Sequence, residues 1–117
     1  MSQPTQAHPR FDALEVALEI VGEVRRLIEA IGARDPDLVR QLRRAGPSIP
    51  MNVAEGNRRT GKDRPYHFNV AAGSTGEVLA AARVAVAMGY VAAGRCARLL
   101  ALCDRELAML WRLTHPR

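Results

Sequence analysis

Apolar residues in this chain recur every three or four positions, which is the period of an α-helix. Between residues 11 and 31 they include Leu14, Leu18, Val21 and Ile28, and charged residues occupy the opposite side. No stretch shows the alternation of apolar and polar residues that is typical of a strand. Since a helix with one apolar face must bury it against other helices, the pattern predicts an all-α fold.

Glycines, prolines and capping residues predict the boundaries of the first two helices. The first spans Phe11 to Ile31, and Asp35-Pro36 begins the second with an N-cap and a proline in the first turn. Pro47 and Pro50 predict a kink or break in the second helix, because proline removes a backbone donor and clashes with the preceding turn. We expect that helix to resume from Ile49 to Glu55 and to end at Gly56.

The third helix is predicted from about Arg64 to Met88, after a loop from Asn57 to Lys62. Asp63 is the favoured N-cap, and Thr60 is an alternative that would place Pro65 deeper in the helix. This helix is apolar or small nearly all round, which predicts the most buried element. Gly89-Tyr90 separates it from a fourth helix, about Ala92 to Leu113, whose apolar stripe comprises Cys96, Leu99, Leu100, Cys103, Leu107 and Leu110.

The resulting prediction is one up-down four-helix bundle over residues 11–113, with a disordered N-terminal arm at 1–10 and a short tail at 114–117. A chain of 117 residues suffices for one core. The start lacks the apolar stretch of a secretory signal, and polar residues interrupt the weakly charged region 65–94, so we expect a cytoplasmic protein without a membrane span. Cys96 and Cys103 lie about 10 Å apart along one helix, which predicts free thiols.

The formal charge is +5, and Lys62 is the single lysine among 17 basic residues. A basic balance favours polyanionic or acidic partners, although an arginine-rich chain is also expected from genomic base composition alone. Two basic groups stand out: Arg40, Arg43 and Arg44 on the second helix, and Arg58, Arg59, Lys62 and Arg64 around the loop. Each is either a solvated charged face or a set of phosphate contacts with RNA or DNA. An aromatic content of 4% argues against base stacking.

The run GNRRTGK, Gly56 to Lys62, matches the first seven positions of a phosphate-binding loop. The eighth position is Asp63, where that motif requires a hydroxyl that contacts Mg²⁺. The motif also needs a preceding strand, whereas a helix is predicted here. The run is therefore not interpreted as a nucleotide site.

The segment IPMNVAEG, Ile49 to Gly56, resembles the I-P-x-N-[IV]-A-E-G signature of small bacterial four-helix-bundle proteins. These include proteins encoded in intervening sequences of 23S ribosomal RNA genes. The resemblance continues in VAAGSTGEVL, which is similar to the family's A-x-G-S-x-x-E segment, and in MGYV, where the family has L-G-Y. The motif residues shared with the family are Pro50, Asn52, Glu55, Gly56, Gly73, Ser74 and Glu77.

The resemblance implies a bundle that assembles into a ring, commonly a pentamer. The family is similar to accessory proteins of diversity-generating retroelements, which bind nucleic acid and a reverse transcriptase. The apolar third helix is consistent with subunit contacts through a second face.

Glu55 and Glu77 lie in the two motifs and admit two interpretations. They could act as an acid and base or as metal ligands, but neither is followed three residues later by the histidine that carboxylate-bridged metal bundles use. We favour partly buried carboxylates bonded to Asn52, Ser74, Arg83 or a backbone amide, which would fix helix register. His8, His67 and His115 lack metal-ligand spacing, so no metal, cofactor or catalytic site is predicted.

The leading functional prediction is a non-enzymatic, oligomeric helical protein that binds nucleic acid or a ribonucleoprotein through its arginine-rich surface. The alternative is an interaction scaffold whose ring engages an acidic protein partner without nucleic acid. Both predictions share the fold, and the basic residues alone do not separate them.

Overall fold

A computed structural model describes residues 11–116 and contains four helices joined by short connections. They are α1 (Asp12–Ile31), α2 (Pro36–Arg58), α3 (Asp63–Ala87) and α4 (Ala93–Thr114), with a 3-10 turn at Gly32–Arg34 between the first two. No strand occurs in the described residues. Each helix packs on its neighbour in the chain, and α4 closes the bundle against α1. The predicted all-α four-helix bundle is confirmed, while the arm predicted at 1–10 lies outside the described residues.

The core consists of aliphatic side chains supplied by every helix. Ile20, Leu42, Val78 and Leu99 are fully or almost fully buried, one from each helix in order. Each contributes roughly 1.5–3 kcal/mol by leaving water. The helical period of the apolar residues therefore has its expected consequence, a single core along the bundle axis.

The second helix runs without interruption through Pro47 and Pro50, so of the predicted kink or break, the break is wrong. Each internal proline costs about 3 kcal/mol in lost hydrogen bonding and steric conflict. Residues on both sides of the prolines bury one continuous face, namely Leu38, Leu42, Ala45, Ile49 and Val53. Since burial of these side chains is worth at least about as much as the two prolines cost, tertiary packing keeps α2 continuous.

Gly56 lies inside α2, so the prediction that it ends the helix is wrong; the helix continues to Arg58. Gly56 is buried, and a Cβ placed there would come within 2.7 Å of two ring carbons of Phe68. Phe68 itself is fully buried on α3. Glycine at position 56 therefore allows α2 and α3 to approach closely, and the loop shortens to residues 59–62.

The third helix begins at Asp63, with Lys62 rather than Asp63 or Thr60 at the N-cap position and no side-chain cap. It is not the most buried element of the described residues, because α1 and α2 bury a larger share of their residues and α3 leaves Tyr66 and Val84 exposed. By length and composition α3 could cross a membrane, yet 39% of its apolar window is buried within the bundle. A core helix of a water-soluble protein passes the same test, so this helix is not interpreted as a membrane span.

The two connections at one end of the bundle are bonded to each other. Asp35 caps α2 by accepting from the Leu38 amide at 3.0 Å, and Tyr90, in the α3–α4 connection, donates its hydroxyl to the second Asp35 oxygen at 3.0 Å. Arg34 donates to the Tyr90 carbonyl oxygen at 2.6 Å. The opposite end therefore holds the α2–α3 loop, together with the start of α1 and the end of α4.

Candidate nucleic-acid interface

Arg40, Arg43 and Arg44 come together on the exposed side of α2. Because residues three and four apart share a helix face, the three guanidinium groups lie together on one exposed face of α2 with Asp37 and Gln41. We call this the α2 arginine surface. Its three cations outnumber the two neighbouring carboxylates, Asp37 on α2 and Glu77 on α3, so its net charge is positive.

The partners of these arginines are weak ones. Arg40 pairs with Asp37 one turn away, and Arg44 lies 3.4 Å from Glu77 on α3. All four side chains are at least half exposed. Exposed ion pairs are worth about 0–1 kcal/mol, so a phosphate group could replace either carboxylate at small cost.

The second predicted cluster surrounds the α2–α3 loop, and its arginines are more strongly engaged. Glu55 accepts from Arg58 at 3.2 Å and from Arg59 at 2.6 and 3.0 Å, and Arg59 also lies 3.6 Å from Asp63. The hydrogen bond from Arg59, together with the charges of Arg59 and Arg58, lowers the pKa of Glu55 from its ordinary value, although partial desolvation opposes the shift. Glu55 therefore carries its negative charge at neutral pH.

Arg64 belongs to the same predicted cluster but has a structural position. Its guanidinium donates to the Gly56 carbonyl oxygen at 3.1 Å and the Asn57 carbonyl oxygen at 3.4 Å, near the C-terminal end of α2. It also lies 4.9 Å from the centre of the Phe68 ring. The side chain thus adds a donor to carbonyl groups of the last turn of α2, where Gly56 also accepts from the Arg59 amide, and covers the α2–α3 contact.

The bonding predicted for the motif glutamates is wrong. Glu55 is bonded to Arg58 and Arg59, and Glu77 is exposed and pairs with Arg44. Neither carboxylate is bonded to the predicted partners Asn52, Ser74 or Arg83. These arginines follow Glu55 by three and four residues, so helical spacing alone could have indicated the pairs. Ion pairs with arginines take the place of the predicted bonds; Glu55 is partly buried, as predicted, whereas Glu77 is half exposed within α3.

Asn52 and Ser74, the polar residues of the two motifs, are connected through Ser48. Ser48 and Ser74 share a hydrogen bond of 2.8 Å between α2 and α3, and Asn52 donates to the Ser48 hydroxyl at 3.1 Å. His67 reaches the Asn52 side-chain oxygen at 3.1 Å. This chain fixes the register of α2 against α3, the role expected of the carboxylates. Gly73, by contrast, has open space around its Cα.

Sequence reasoning missed a buried carboxyl group on α4. Glu106 is completely inaccessible, and neither of its oxygens has a hydrogen-bond partner among the described residues. Burial raises its pKa from 4.5 to about 8. Helical spacing could have indicated this burial, because Glu106 follows Cys103 by three residues and precedes Leu110 by four, which places it on the apolar stripe. The prediction assigned Leu107 to that stripe instead of Glu106.

The described residues hold no group of three or more histidine, cysteine or acidic side chains that could bind a metal. Cys96 and Cys103 are buried free thiols, as predicted. Burial raises the pKa of Cys103 to about 12, and the neighbouring acidic groups Asp104 and Glu106 add to the shift. Such a thiol is a poor nucleophile, because the reactive form is the thiolate.

Comparison with known proteins gives results in agreement with this architecture. A crystal structure from Bacteroides thetaiotaomicron, of a protein with unknown function from the S23 ribosomal protein family, is similar in fold with a TM-score of 0.80. The likeness covers 87% of this chain and 97% of that chain at 15% sequence identity, so it concerns the fold. No functionally curated protein is significantly similar to the chain.

The family described as 23S rRNA-intervening sequence protein matches residues 10–112, nearly the whole chain. Neither this family nor the structural neighbour is described as an enzyme. The match includes the α2 arginine surface, the loop and both motifs. The chain belongs to the 23S rRNA-intervening sequence protein family.

Proposed function

We propose that this protein is a non-enzymatic binder of nucleic-acid backbones and that the α2 arginine surface is its principal contact. The observation that carries the proposal is the grouping of Arg40, Arg43 and Arg44 on one exposed face of α2, where they outnumber the neighbouring carboxylates of Asp37 and Glu77. Guanidinium groups suit phosphate oxygens because their paired N–H donors match the phosphate geometry. The family's name, which refers to ribosomal RNA, supports RNA as one ligand.

The loop arginines have a secondary part in this proposal. Arg58 and Arg59 share Glu55, and Arg64 is bonded to α2 carbonyl groups, so Lys62 is the loop cation with neither an ion pair nor a side-chain hydrogen bond among the described residues. The centre of the α2 arginine surface lies about 24 Å from Arg59 along the helix axis. A nucleic-acid strand that lay along α2 would therefore contact both the α2 arginine surface and the loop, with the stronger contact at the α2 arginine surface.

Self-association would strengthen such contacts, and we propose that the protein is an oligomer, a pentamer by family resemblance. The support is the apolar exposure at the C-terminal end of α3, where Val84 and Met88, one turn apart, are 44% and 59% exposed. Exposed apolar side chains that lie together favour protein contacts. Repeated copies of a weak phosphate site would then bind one strand by multivalency. Sedimentation that gives a 12.8 kDa monomer at micromolar concentration would contradict this.

The test compares three variants that each remove three cations. The first replaces Arg40, Arg43 and Arg44 by serine, and the second replaces Arg58, Arg59 and Lys62. The control replaces Arg83, Arg105 and Arg112, which are exposed on α3 and α4. Binding to mixed RNA and duplex DNA is measured by fluorescence anisotropy from low to moderate salt.

We expect the first variant to lose most of the affinity and to flatten the dependence of log K on log salt by about two to three, as loss of three phosphate contacts predicts. The second should lose less, and the control least. Equal losses in all three would contradict a defined contact and indicate a general effect of charge. Absence of binding by the parent at low salt would refute the proposal and favour the acidic-protein scaffold.

A further inference from the structure

A groove with an apolar floor lies between α1 and α2, beside the α2 arginine surface. It has a volume of about 590 Å³, and its floor is formed by Val21, Val24, Ile28, Leu42 and Pro47. The two helices meet closely at one point, where a Cβ on Gly46 would lie 3.2 Å from the Val24 side chain. Val21, Ile28 and Pro47 remain partly or fully accessible, so the groove is open to a ligand.

The rim of this groove is positively charged. Arg25 projects from α1 and Arg43 from α2, and both are exposed. Neither makes an ion pair with any residue between 11 and 116. Glu29, one turn from Arg25 on α1, is the one carboxylate of the lining, so the groove carries two cations and one anion around an apolar floor.

This combination distinguishes between classes of ligand. Phosphate groups need hydrogen-bond donors, which the floor lacks, and nucleobases need aromatic rings, of which none lines the groove. A helix or extended segment of a protein would bury apolar side chains on the floor, as in helix-in-groove recognition. Carboxylates beside those anchors would lie against the rim arginines, and charge complementarity of this kind supplies specificity.

We propose that the α1–α2 groove docks a short amphipathic segment of a partner protein, with its apolar side chains on the floor and its carboxylates facing Arg25 and Arg43. The inference does not depend on nucleic-acid binding, since its floor and Arg25 lie outside the α2 arginine surface. Arg43 borders both surfaces. A bound acidic segment would therefore reduce, through Arg43, the charge available to phosphate.

The experiment selects a display library of random peptides of about twelve residues, long enough for anchors at i, i+4 and i+7, against the folded full chain. The expected consensus combines apolar residues at helical spacing with carboxylates. A synthetic peptide of that consensus should lose about tenfold in affinity for Arg25→Glu, while Arg105→Glu, a matched reversal on α4, should change it by less than about twofold. A basic or purely polar consensus, or equal losses for both variants, would overturn the proposal.

A second measurement locates the bound peptide on the protein. Methyl resonances of Val21, Val24, Ile28 and Leu42 should shift on addition of the consensus peptide, and Ile28→Ser should weaken its binding. A double variant with Arg40→Ser and Arg44→Ser should bind the peptide within about twofold of the parent affinity even if it no longer binds nucleic acid. This result would separate the two proposals. Methyl shifts elsewhere would overturn the groove as the site. Dissociation of a parent oligomer by Arg25→Glu would instead identify a second copy of this chain as the occupant.

Discussion

Glu55 at the loop end of α2 and Glu106 on the core face of α4 carry the same side chain but differ in burial, in hydrogen-bond partners and in the direction of the pKa shift. Glu55 accepts hydrogen bonds from two arginines of its own helix, and Arg59 with its neighbour Arg58 holds the carboxyl pKa below its ordinary value. Glu106 is fully buried with no partner for either oxygen among residues 11–116, and burial raises its pKa to about 8. The family motif therefore marks an ordinary ion-paired carboxylate, whereas the carboxyl group that costs stability lies outside the motifs.

The largest expected effect follows from the buried group. Because the pKa of Glu106 is higher in the folded state than its ordinary 4.5, the native state binds more protons between pH 4.5 and about 8. Stability is then highest below pH 4.5 on account of this group and falls by up to about 1.4 kcal/mol per pH unit across the window. Glu106→Gln removes the ionisation and should become increasingly more stable than the parent as pH rises.

Thermal or urea unfolding of parent and variant at pH 5, 7 and 9 measures this difference. Glu77→Gln makes the same replacement at an exposed position and serves as the control. Parallel pH profiles for the parent and Glu106→Gln would show that the Glu106 carboxyl does not resist ionisation, and the contrast between the two glutamates would fail.

At the loop end, the largest effect is expected from packing. Gly56→Ala places a methyl group within 2.7 Å of the buried Phe68 ring, and overpacking of this kind costs about 1–3 kcal/mol, more than the helix propensity that alanine adds. Gly76→Ala on α3 meets no atom within 4 Å and should instead stabilise by about 0.5–1 kcal/mol. Urea unfolding distinguishes the two, and a Gly56→Ala variant as stable as the parent would exclude close packing as the reason for glycine.

A smaller effect separates the structural arginine of the loop end from the surface ones. Arg64→Gln removes two donated hydrogen bonds to α2 carbonyl groups and the contact with Phe68, and should cost about 1 kcal/mol. Arg58→Gln removes one exposed ion pair and should cost less. Chemical denaturation of both variants tests the order. If Arg58→Gln were the more destabilising, the assignment of Arg64 to helix termination would be wrong.

The same residues explain which features the sequence predicts. Helical period places four helices because burial of one face is a local pattern, and the Asp35-Pro36 start of α2 depends on neighbours in the chain. The continuity of α2 through Pro47 and Pro50 depends on a face packed against other helices, which local rules underestimate. Local rules place Gly56 at a helix end because they do not reveal its contact with Phe68, which lies across the α2–α3 interface.

The candidate site shows the same division. Arginine spacing predicted the convergence of Arg40, Arg43 and Arg44, since three- and four-residue intervals determine a helix face. It did not indicate that Arg64 is taken up by backbone carbonyl groups, because that depends on where the loop returns. Binding of nucleic acid by Arg40, Arg43 and Arg44 stays a prediction, since the placement of charge determines attraction and not the identity of the ligand.

The smallest effect bears on function through the loop. Glu55→Gln removes the anion that Arg58 and Arg59 share, and the lowered pKa of Glu55 means that protonation near neutral pH does not release them. If these arginines assist the α2 arginine surface, RNA affinity should rise by about twofold to fivefold and the salt dependence should steepen by up to about one. Asp104→Asn on α4 makes the same change in net charge and is the control. Anisotropy titrations in which both variants gain equally would assign the effect to overall charge. A gain confined to Glu55→Gln would show that the motif glutamate restrains a basic contact, in contrast to Glu106, whose replacement should alter stability and leave RNA affinity unchanged.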